Sequence, residues 1–104
     1  MQSVREFAAD KMKKVGVFET GHLFCDVYCL ESGQSQKLHT HDDATKLYYI
    51  VEGEVHATIG TETRCLHPGD MAWADPGEPH GIENRSPGPV RVLVVMAPNP
   101  NRRS

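Results

Sequence analysis

Apolar and polar residues alternate in short runs along most of the chain, and turn residues separate the runs. In EVHATI, residues 54–59, the apolar positions Val55, Ala57 and Ile59 share one face of an extended strand and the polar positions share the other. From Val15 onward, eight or nine such runs follow one another, separated by segments such as PGD, DPGEP and RSPGP, with no helical pattern between them. Closely spaced short strands without intervening helices predict an all-β fold, either a β-sandwich or a barrel.

The N-terminal residues carry a different pattern. In SVREFAADKMKK, residues 3–14, Ser3 and Glu6 have capping-box spacing, and the apolar residues repeat along one helical stripe. We therefore expect a short N-terminal helix, with a frayed arm as the alternative because short isolated helices are marginally stable. The predicted organisation is a helix or arm over residues 1–14, a β-barrel over 15–97 and a polar tail over 98–104.

Two predicted strands are apolar on both faces. They are YYIV, residues 48–51, and VRVLVV, residues 90–95. Strands of this kind are covered on two sides, so their outer face predicts contact with a second sheet or with another subunit. We expect a homodimer on this basis.

Composition and charge exclude several classes of protein. With 104 residues, of which 38% are hydrophobic and 24% charged, the chain fits one globular domain. The net charge is −3 and the lysines and arginines are scattered, so no nucleic-acid partner is predicted. The chain has no membrane-length apolar run and no signal-peptide h-region, and we expect a cytoplasmic protein without a membrane partner.

The three cysteines do not suggest a disulfide or a zinc ribbon. Their number is odd and no CxxC pair occurs. Cys25 and Cys29 lie four residues apart in a strand-like run, so about 13 Å separates them at the rise of a strand. A disulfide requires Cα atoms about 6 Å apart. We expect three reduced, half-buried thiols.

The most distinctive polar pattern is HTHDDATKLYYIVEG, residues 39–53. Residues i and i+2 of a strand point the same way, about 7 Å apart, so His39 and His41 are placed to converge on one metal ion. The same pair also fits two exposed or singly hydrogen-bonded histidines. His80 is the candidate third ligand, because it begins a predicted strand after a Pro/Gly turn, where a side chain can face the mouth of a barrel.

Two spaced motifs resemble those of the cupins, small β-barrels of jelly-roll type. The first runs from Gly33 through HTH to Gly53 with the family's spacing, but Lys46 stands at the position of its usual glutamate. The second, GDMAWADPGEPHGIEN, runs from residue 69 to 84, with its proline one place late. The resemblance covers about residues 23–97. It implies a cupin-type jelly-roll β-barrel.

The resemblance also implies a ligand set and a cofactor. His39, His41 and His80 match the family's three histidine ligands. The implied cofactor is a divalent transition metal, Fe, Zn, Mn, Ni or Cu, since imidazole suits several of these ions. Three-histidine centres of this family resemble those of the thiol and diketone dioxygenases.

The lysine at position 46 leaves four alternatives, because a charged lysine donates hydrogen bonds and cannot ligate a metal. Lys46 anchors a substrate anion, is desolvated and acts as a base, turns out of the barrel, or has displaced the metal. We favour the first. Tyr48 shares its predicted face, so both are predicted catalytic residues. Lys37, which shares the parity of His39, and Trp73 are predicted substrate-binding residues, although core packing is the commoner role of a tryptophan.

Other polar residues are weaker candidates. Asp42 and Asp43 follow HTH directly and offer a replacement carboxylate ligand, but solvation in a loop is the commoner role. His56 lies on the polar face of its predicted strand, and we expect it outside the barrel.

Two functional hypotheses follow. In the first, the chain is a metal-dependent oxygenase, isomerase or lyase acting on a small anionic metabolite through a three-histidine centre. In the second, the barrel binds or senses a small molecule or a metal without turnover. A metal-free structural barrel is a third alternative, because a fold alone does not determine function.

Overall fold

Nine β-strands make up most of the structure, a computed structural model that describes residues 4–100. The strands are β1 (Lys13–Glu19), β2 (Phe24–Leu30), β3 (Ser35–His39), β4 (Thr45–Glu52), β5 (Val55–Ile59), β6 (Glu62–Leu66), β7 (Met71–Ala74), β8 (His80–Glu83) and β9 (Val90–Ala97). They follow the predicted runs one for one, which confirms the all-β fold. Residues 4–100 form no helix, and so no helix of the length and apolar character that crossing a membrane requires.

The strands form two antiparallel sheets that face each other as a jelly-roll barrel. One sheet has five strands in the order β1-β2-β9-β4-β7, and the other has four in the order β3-β8-β5-β6. The order is non-sequential because most successive strands change sheets, the exceptions being β1 to β2 and β5 to β6, so segments distant in sequence become neighbours. Pairing of β3 with β8 brings His39 directly opposite His80.

The inward faces of both sheets supply the core. Its buried members are Tyr28, Leu30, Tyr48, Ile50, Val55, Ala57, Ile82, Val90, Val92 and Val94. On β9 the side chains alternate, since Val92 and Val94 are fully buried while Leu93 and Val95 are half-buried on the outer face. Both faces of β9 are therefore apolar because one faces the buried core and the other is partly shielded from solvent.

Residues 4–12 form an arm against the barrel and not a helix. The carbonyl oxygen of Val4 accepts a hydrogen bond from Arg91 Nη1 at 2.9 Å, and that of Ala8 accepts one from Gln34 Nε2 at 2.7 Å. These contacts with the barrel take up backbone groups that a short, marginally stable helix would need. The last two lysines of the predicted helix, Lys13 and Lys14, belong to β1. Ser3 of the predicted capping box lies outside the described residues.

A bulge in β3 changes which side chains face the interior. Gln36 pairs with Ile82, but the next pair is His39 with His80, so two residues on β3 face one residue on β8 between these pairs. Gln36 is consequently buried, whereas Lys37 is exposed. Gly81 permits this close approach, because a Cβ atom there would lie 2.8 Å from the carbonyl oxygen of Gln36 and 3.0 Å from the amide nitrogen of Leu38.

The cysteines and the C-terminal segment differ in part from expectation. All three thiols are free, with Cys25 and Cys29 buried and Cys65 exposed. Asn99 belongs to the predicted polar tail, yet it is only 3% exposed and donates hydrogen bonds to Glu19 Oε2 and to the carbonyl oxygen of Thr20, both at 2.8 Å. Asn99 is therefore packed on the barrel, whereas Pro98 before it is exposed.

Candidate metal centre

Three histidine rings meet at one end of the barrel. His39 is the last residue of β3, His41 lies in the loop that follows, and His80 is the first residue of β8. The ring centroids are 4.3 Å apart for His39 and His80, 4.9 Å for His39 and His41, and 5.5 Å for His41 and His80. The structure therefore brings together the three histidines that the sequence analysis identified, from two segments that are distant in the chain.

Backbone carbonyl groups set the orientation of two of the rings. Nδ1 of His39 lies 2.8 Å from the carbonyl oxygen of Lys37, and Nδ1 of His80 lies 2.9 Å from that of Glu78. Since a carbonyl oxygen only accepts hydrogen bonds, each Nδ1 carries the proton and each Nε2 keeps a lone pair that can accept a hydrogen bond or ligate a metal ion. Histidine ligands of metal ions are commonly held in this way.

The ring nitrogens of the three histidines form a set that suits a metal ion. One ring nitrogen from each histidine lies within 4.8 Å of the others. His80 is 1% exposed, and its Nε2 is a buried nitrogen without a hydrogen-bond partner in residues 4–100. A buried polar atom without a partner is rare in proteins. Three converging imidazole nitrogens, of which the Nε2 of His80 has no hydrogen-bond partner, are therefore suited to bind a divalent transition-metal ion.

The histidines are held in the neutral form that ligation requires. Burial lowers the pKa of all three imidazoles, and that of His80 falls to about 4. The positive charge of Lys46 contributes to each shift, although burial is the larger cause. Metal ions bind the deprotonated imidazole nitrogen, so these shifts favour a metal over a proton at neutral pH.

Lys46 lies inside the barrel beside this cluster. It is 1% exposed, its Nζ donates a hydrogen bond to Gln36 Oε1 at 3.2 Å, and the same nitrogen lies 3.5 Å from Nε2 of His39. The pKa of Lys46 is lowered to about 7, chiefly by burial and in smaller part by the charge of Lys14, while the charge of Asp26 opposes the shift. The alternative in which this lysine turns out of the barrel is thereby wrong.

A buried polar network holds the lysine in place. Tyr48, fully buried, donates from its hydroxyl group to Gln36 Oε1 at 2.7 Å, and Gln36 Nε2 donates to the Tyr28 hydroxyl at 3.3 Å. The Lys46 ammonium group also lies over both tyrosine rings, 5.2 Å and 5.3 Å from their centroids. Strict alternation along β3 would place Gln36 outside, so sequence reasoning missed it. The bulge is what brings it in.

The cluster opens into a cavity of about 670 Å³. His39, His41 and Lys46 line this cavity together with Lys14, Asp26 and Phe18. The Asp26 carboxyl group is half-buried, and burial raises its pKa. Neither Lys14 nor Asp26 was nominated from the sequence. The alternation of side chains along β1 and β2 could identify Lys14 and Asp26, but only once it is known which face of each strand points into the barrel.

Two predicted substrate-binding residues lie elsewhere. Lys37 is exposed because the bulge turns it away from the face that His39 occupies, so it does not line the histidine cavity. Trp73 is 57% exposed on the edge strand β7, where the smaller Ala74 takes the inward position, so it lines no part of the histidine cavity. Asp42 and Asp43 are exposed in the loop after β3, and His56 lies on the outer face of β5 as expected.

Comparisons with known proteins agree with this architecture. The family described as "Cupin domain" matches residues 26–96. An oxalate-binding protein of Thermotoga maritima is 30% identical over 88 residues, which make up 85% of this chain and 72% of that protein. The crystal structure of TT1209 from Thermus thermophilus has a TM-score of 0.90 and 43% identity, covering 92% of this chain and 91% of that one.

A further relative is longer than this chain. An uncharacterised protein of Methanocaldococcus jannaschii is 33% identical over 66 residues, which make up 64% of this chain and 53% of that protein. The match therefore spans about half the length of that relative.

Proposed function

The chain belongs to the cupin domain family, and we propose that it holds a divalent transition metal through His39, His41 and His80. The observation that carries this proposal is the convergence of three ring nitrogens, among them the buried and unpartnered Nε2 of His80. Leaving such an atom unsatisfied costs about 1–3 kcal/mol, and coordination removes that cost.

The proposed role of the centre is catalytic, in an oxygenase, isomerase or lyase that acts on a small anionic metabolite. A divalent ion held by three neutral imidazoles keeps its full charge and open positions, and supplies Lewis-acid activation of a substrate oxygen atom. The chain's own contribution is to bind, orient and shield the substrate in the cavity that the histidines adjoin.

Lys46 supplies the charge that selects an anion. Its ammonium group lies next to His39, so a carboxylate that approaches the histidine cluster meets a buried cation. Gln36 and Tyr48 fix the position of that group through Gln36 Oε1, which gives Tyr48 a positioning role. The similarity to a protein described as oxalate-binding supports a small carboxylate as substrate.

Asp26 is the proposed group for proton transfer. Its half-buried carboxyl group lies on the cavity wall, and its raised pKa brings it nearer to neutral pH than an exposed aspartate. A carboxyl group of this kind can take up or deliver a proton within the cavity.

A second candidate function is binding without turnover. The 3.5 Å distance between Lys46 Nζ and His39 Nε2 places a cation close to the ligand set, where it opposes a second cation. In this alternative the barrel captures a small anion through Lys46, and the metal is weakly held or dispensable.

Measurement of bound metal tests the proposal. We expect the purified protein to bind one equivalent more of Zn²⁺ or Mn²⁺ than the His39→Ala and His80→Ala variants. His56→Ala is the matched control, because this histidine lies on the outer face of β5 and its loss should leave metal content unchanged. Equal metal content in wild type and both cluster variants would overturn the proposed centre. A screen of small carboxylates, oxalate included, then separates turnover from binding alone.

The proposed assembly is a homodimer. Leu47, Tyr49, Leu93 and Val95 are only half-buried on the outer face of β4 and β9. Apolar surface of this kind is a feature of subunit interfaces. Light scattering coupled to gel filtration gives the mass directly, and a monomeric mass at high protein concentration would exclude the dimer.

A further inference from the structure

A second group of metal-binding side chains lies on the outside of the barrel, where β5 and β6 pair. One ligand atom from each of Glu54, Cys65 and His67 lies within 4.8 Å of the others. His67 Nε2 and Glu54 Oε2 are 3.3 Å apart. We propose that these three residues form a second metal site, specific for a thiophilic divalent ion such as Zn²⁺ and independent of the three-histidine cluster.

The register of the hairpin explains why the three side chains meet. Val55 pairs with Leu66, and both turn toward the interior, so Glu54 and His67 next to them fall opposite each other on the outer side. Cys65 lies in β6, two residues before His67. Glu54 and His67 each lie one residue beyond the last pair of the β5–β6 ladder, so the end of the hairpin brings the three side chains together.

The backbone on both sides of the cluster is fixed. The amide of His67 donates to Asp70 Oδ2 at 2.9 Å, and the amide of Asp70 returns a bond to the carbonyl oxygen of His67 at 2.9 Å. Gly53, before Glu54, has φ +78°, and a Cβ atom there would lie 2.3 Å from the carbonyl oxygen of Pro89. Because the backbone beside Glu54 and His67 is already fixed, these side chains lose little additional conformational entropy when they bind an ion.

The donor set has the chemistry of zinc. Thiolate, imidazole and carboxylate are its three common protein ligands, with bonds of about 2.0–2.3 Å in a tetrahedral arrangement. Bonds of about 2.0–2.1 Å at tetrahedral angles place a nitrogen and an oxygen ligand about 3.3 Å apart, which is the separation of His67 Nε2 from Glu54 Oε2. Asp70 Oδ2, 3.9 Å from His67 Nδ1, adds negative charge beside the site. The exposed side leaves room for water as a fourth ligand.

Cobalt(II) provides a test that does not respond to the histidine cluster, because only a thiolate ligand gives a sulfur-to-cobalt charge-transfer band in the near ultraviolet. We expect Co²⁺ added to the reduced, metal-free full-length protein to produce this band with one equivalent, and Zn²⁺ to displace it. The band should vanish in Cys65→Ser and require at least 10-fold more Co²⁺ in His67→Ala. It should persist in His39→Ala, which shows that the two sites are separate.

Glu62→Gln is the matched control, since this exposed glutamate lies on the same hairpin and pairs with Arg64. It should leave the titration unchanged, and circular dichroism verifies that each variant is folded. Absence of the band from wild type at millimolar Co²⁺ would overturn the proposal. A band that survives in Cys65→Ser, or an unchanged affinity in His67→Ala, would overturn it as well, because the thiol would then not act with its neighbours.

Discussion

Lys46 Nζ lies 3.5 Å from His39 Nε2, within the barrel and closed off from solvent. The first sequence motif has a glutamate at this place in the family it resembles, so an ammonium group stands where a carboxylate would complete the ligand set. The same nitrogen is anchored to Gln36 Oε1 at 3.2 Å. The proposed function rests on this placement of a lysine amino group beside three histidines that could hold a metal ion.

Lys46→Glu should increase the affinity of the histidine cluster for Mn²⁺ or Zn²⁺ by at least 10-fold, because a repelling charge is replaced by a carboxylate ligand. Calorimetric titration against a competing chelator measures the change. Lys46→Met is the control, since it removes the charge without adding a ligand and should give a smaller increase. Equal affinities for the two variants would show that position 46 cannot reach the ion.

The stability of the metal-free protein should depend on pH through Lys46. The folded state releases the lysine proton near a pKa of about 7, whereas the unfolded chain holds it up to a pKa of 10.5. Between these values the unfolded state binds more protons, so the free energy of unfolding should rise as pH increases from about 7 to about 10. Urea denaturation after chelator treatment, at about pH 6.5 and about pH 9, tests this window.

Lys46→Met should remove most of that rise, and Lys37→Met should retain it, because Lys37 is exposed on the neighbouring strand. A rise of the same size in Lys46→Met would assign the pH dependence to other groups.

Gly81→Ala should weaken both the fold and the metal site. The added Cβ atom would meet backbone atoms of Gln36 and Leu38 at 2.8 and 3.0 Å, so the β3 bulge would have to move and carry His39 with it. We expect a loss of about 1–3 kcal/mol in unfolding free energy, measured by denaturation, with at least 10-fold weaker metal binding. Gly16→Ala, where the nearest atom would be 3.7 Å away, should be tolerated. Wild-type behaviour of Gly81→Ala would mean that the bulge adapts without cost.

Asn84→Ala should destabilise the barrel by about 2–3 kcal/mol. The fully buried side chain donates to the carbonyl oxygens of Leu30 and Gly88 and accepts from Ser86, so its removal leaves several buried groups without partners. Thermal and urea denaturation measure the loss. Arg85→Ala, which breaks only an exposed ion pair with Glu83, should change stability by less than about 1 kcal/mol. If Asn84→Ala and Arg85→Ala lost similar amounts of stability, the buried amide of Asn84 would have no special role.

The strands and the histidine cluster could be predicted from the sequence because both follow from the spacing of residues along the chain, which regular strand geometry preserves. Alternation identified the inner residues of β5 correctly, and two spaced motifs linked His39 and His41 to His80. The long-range pairing of β3 with β8 converts that spacing into contact.

Predictions from parity failed where the backbone departs from regular strand geometry. A single bulge places Gln36 on the inner face where regular alternation predicts Lys37, and no rule based on composition or periodicity reveals such a bulge.

The prediction of an N-terminal helix was wrong because contacts of Val4 and Ala8 with the barrel outweigh a weak local preference for helix. Trp73 is a predicted substrate-binding residue, but it lies on the edge strand β7 with its side chain largely exposed.

The outward position of Trp73 has a spectroscopic consequence. It is the single tryptophan of the chain and is 57% exposed in the native fold. Its fluorescence should therefore resemble that of an indole in water before and after denaturation. Optical studies of folding would do better to follow the tyrosine signal, since Tyr28 and Tyr48 are almost wholly enclosed in the barrel and become hydrated when it opens.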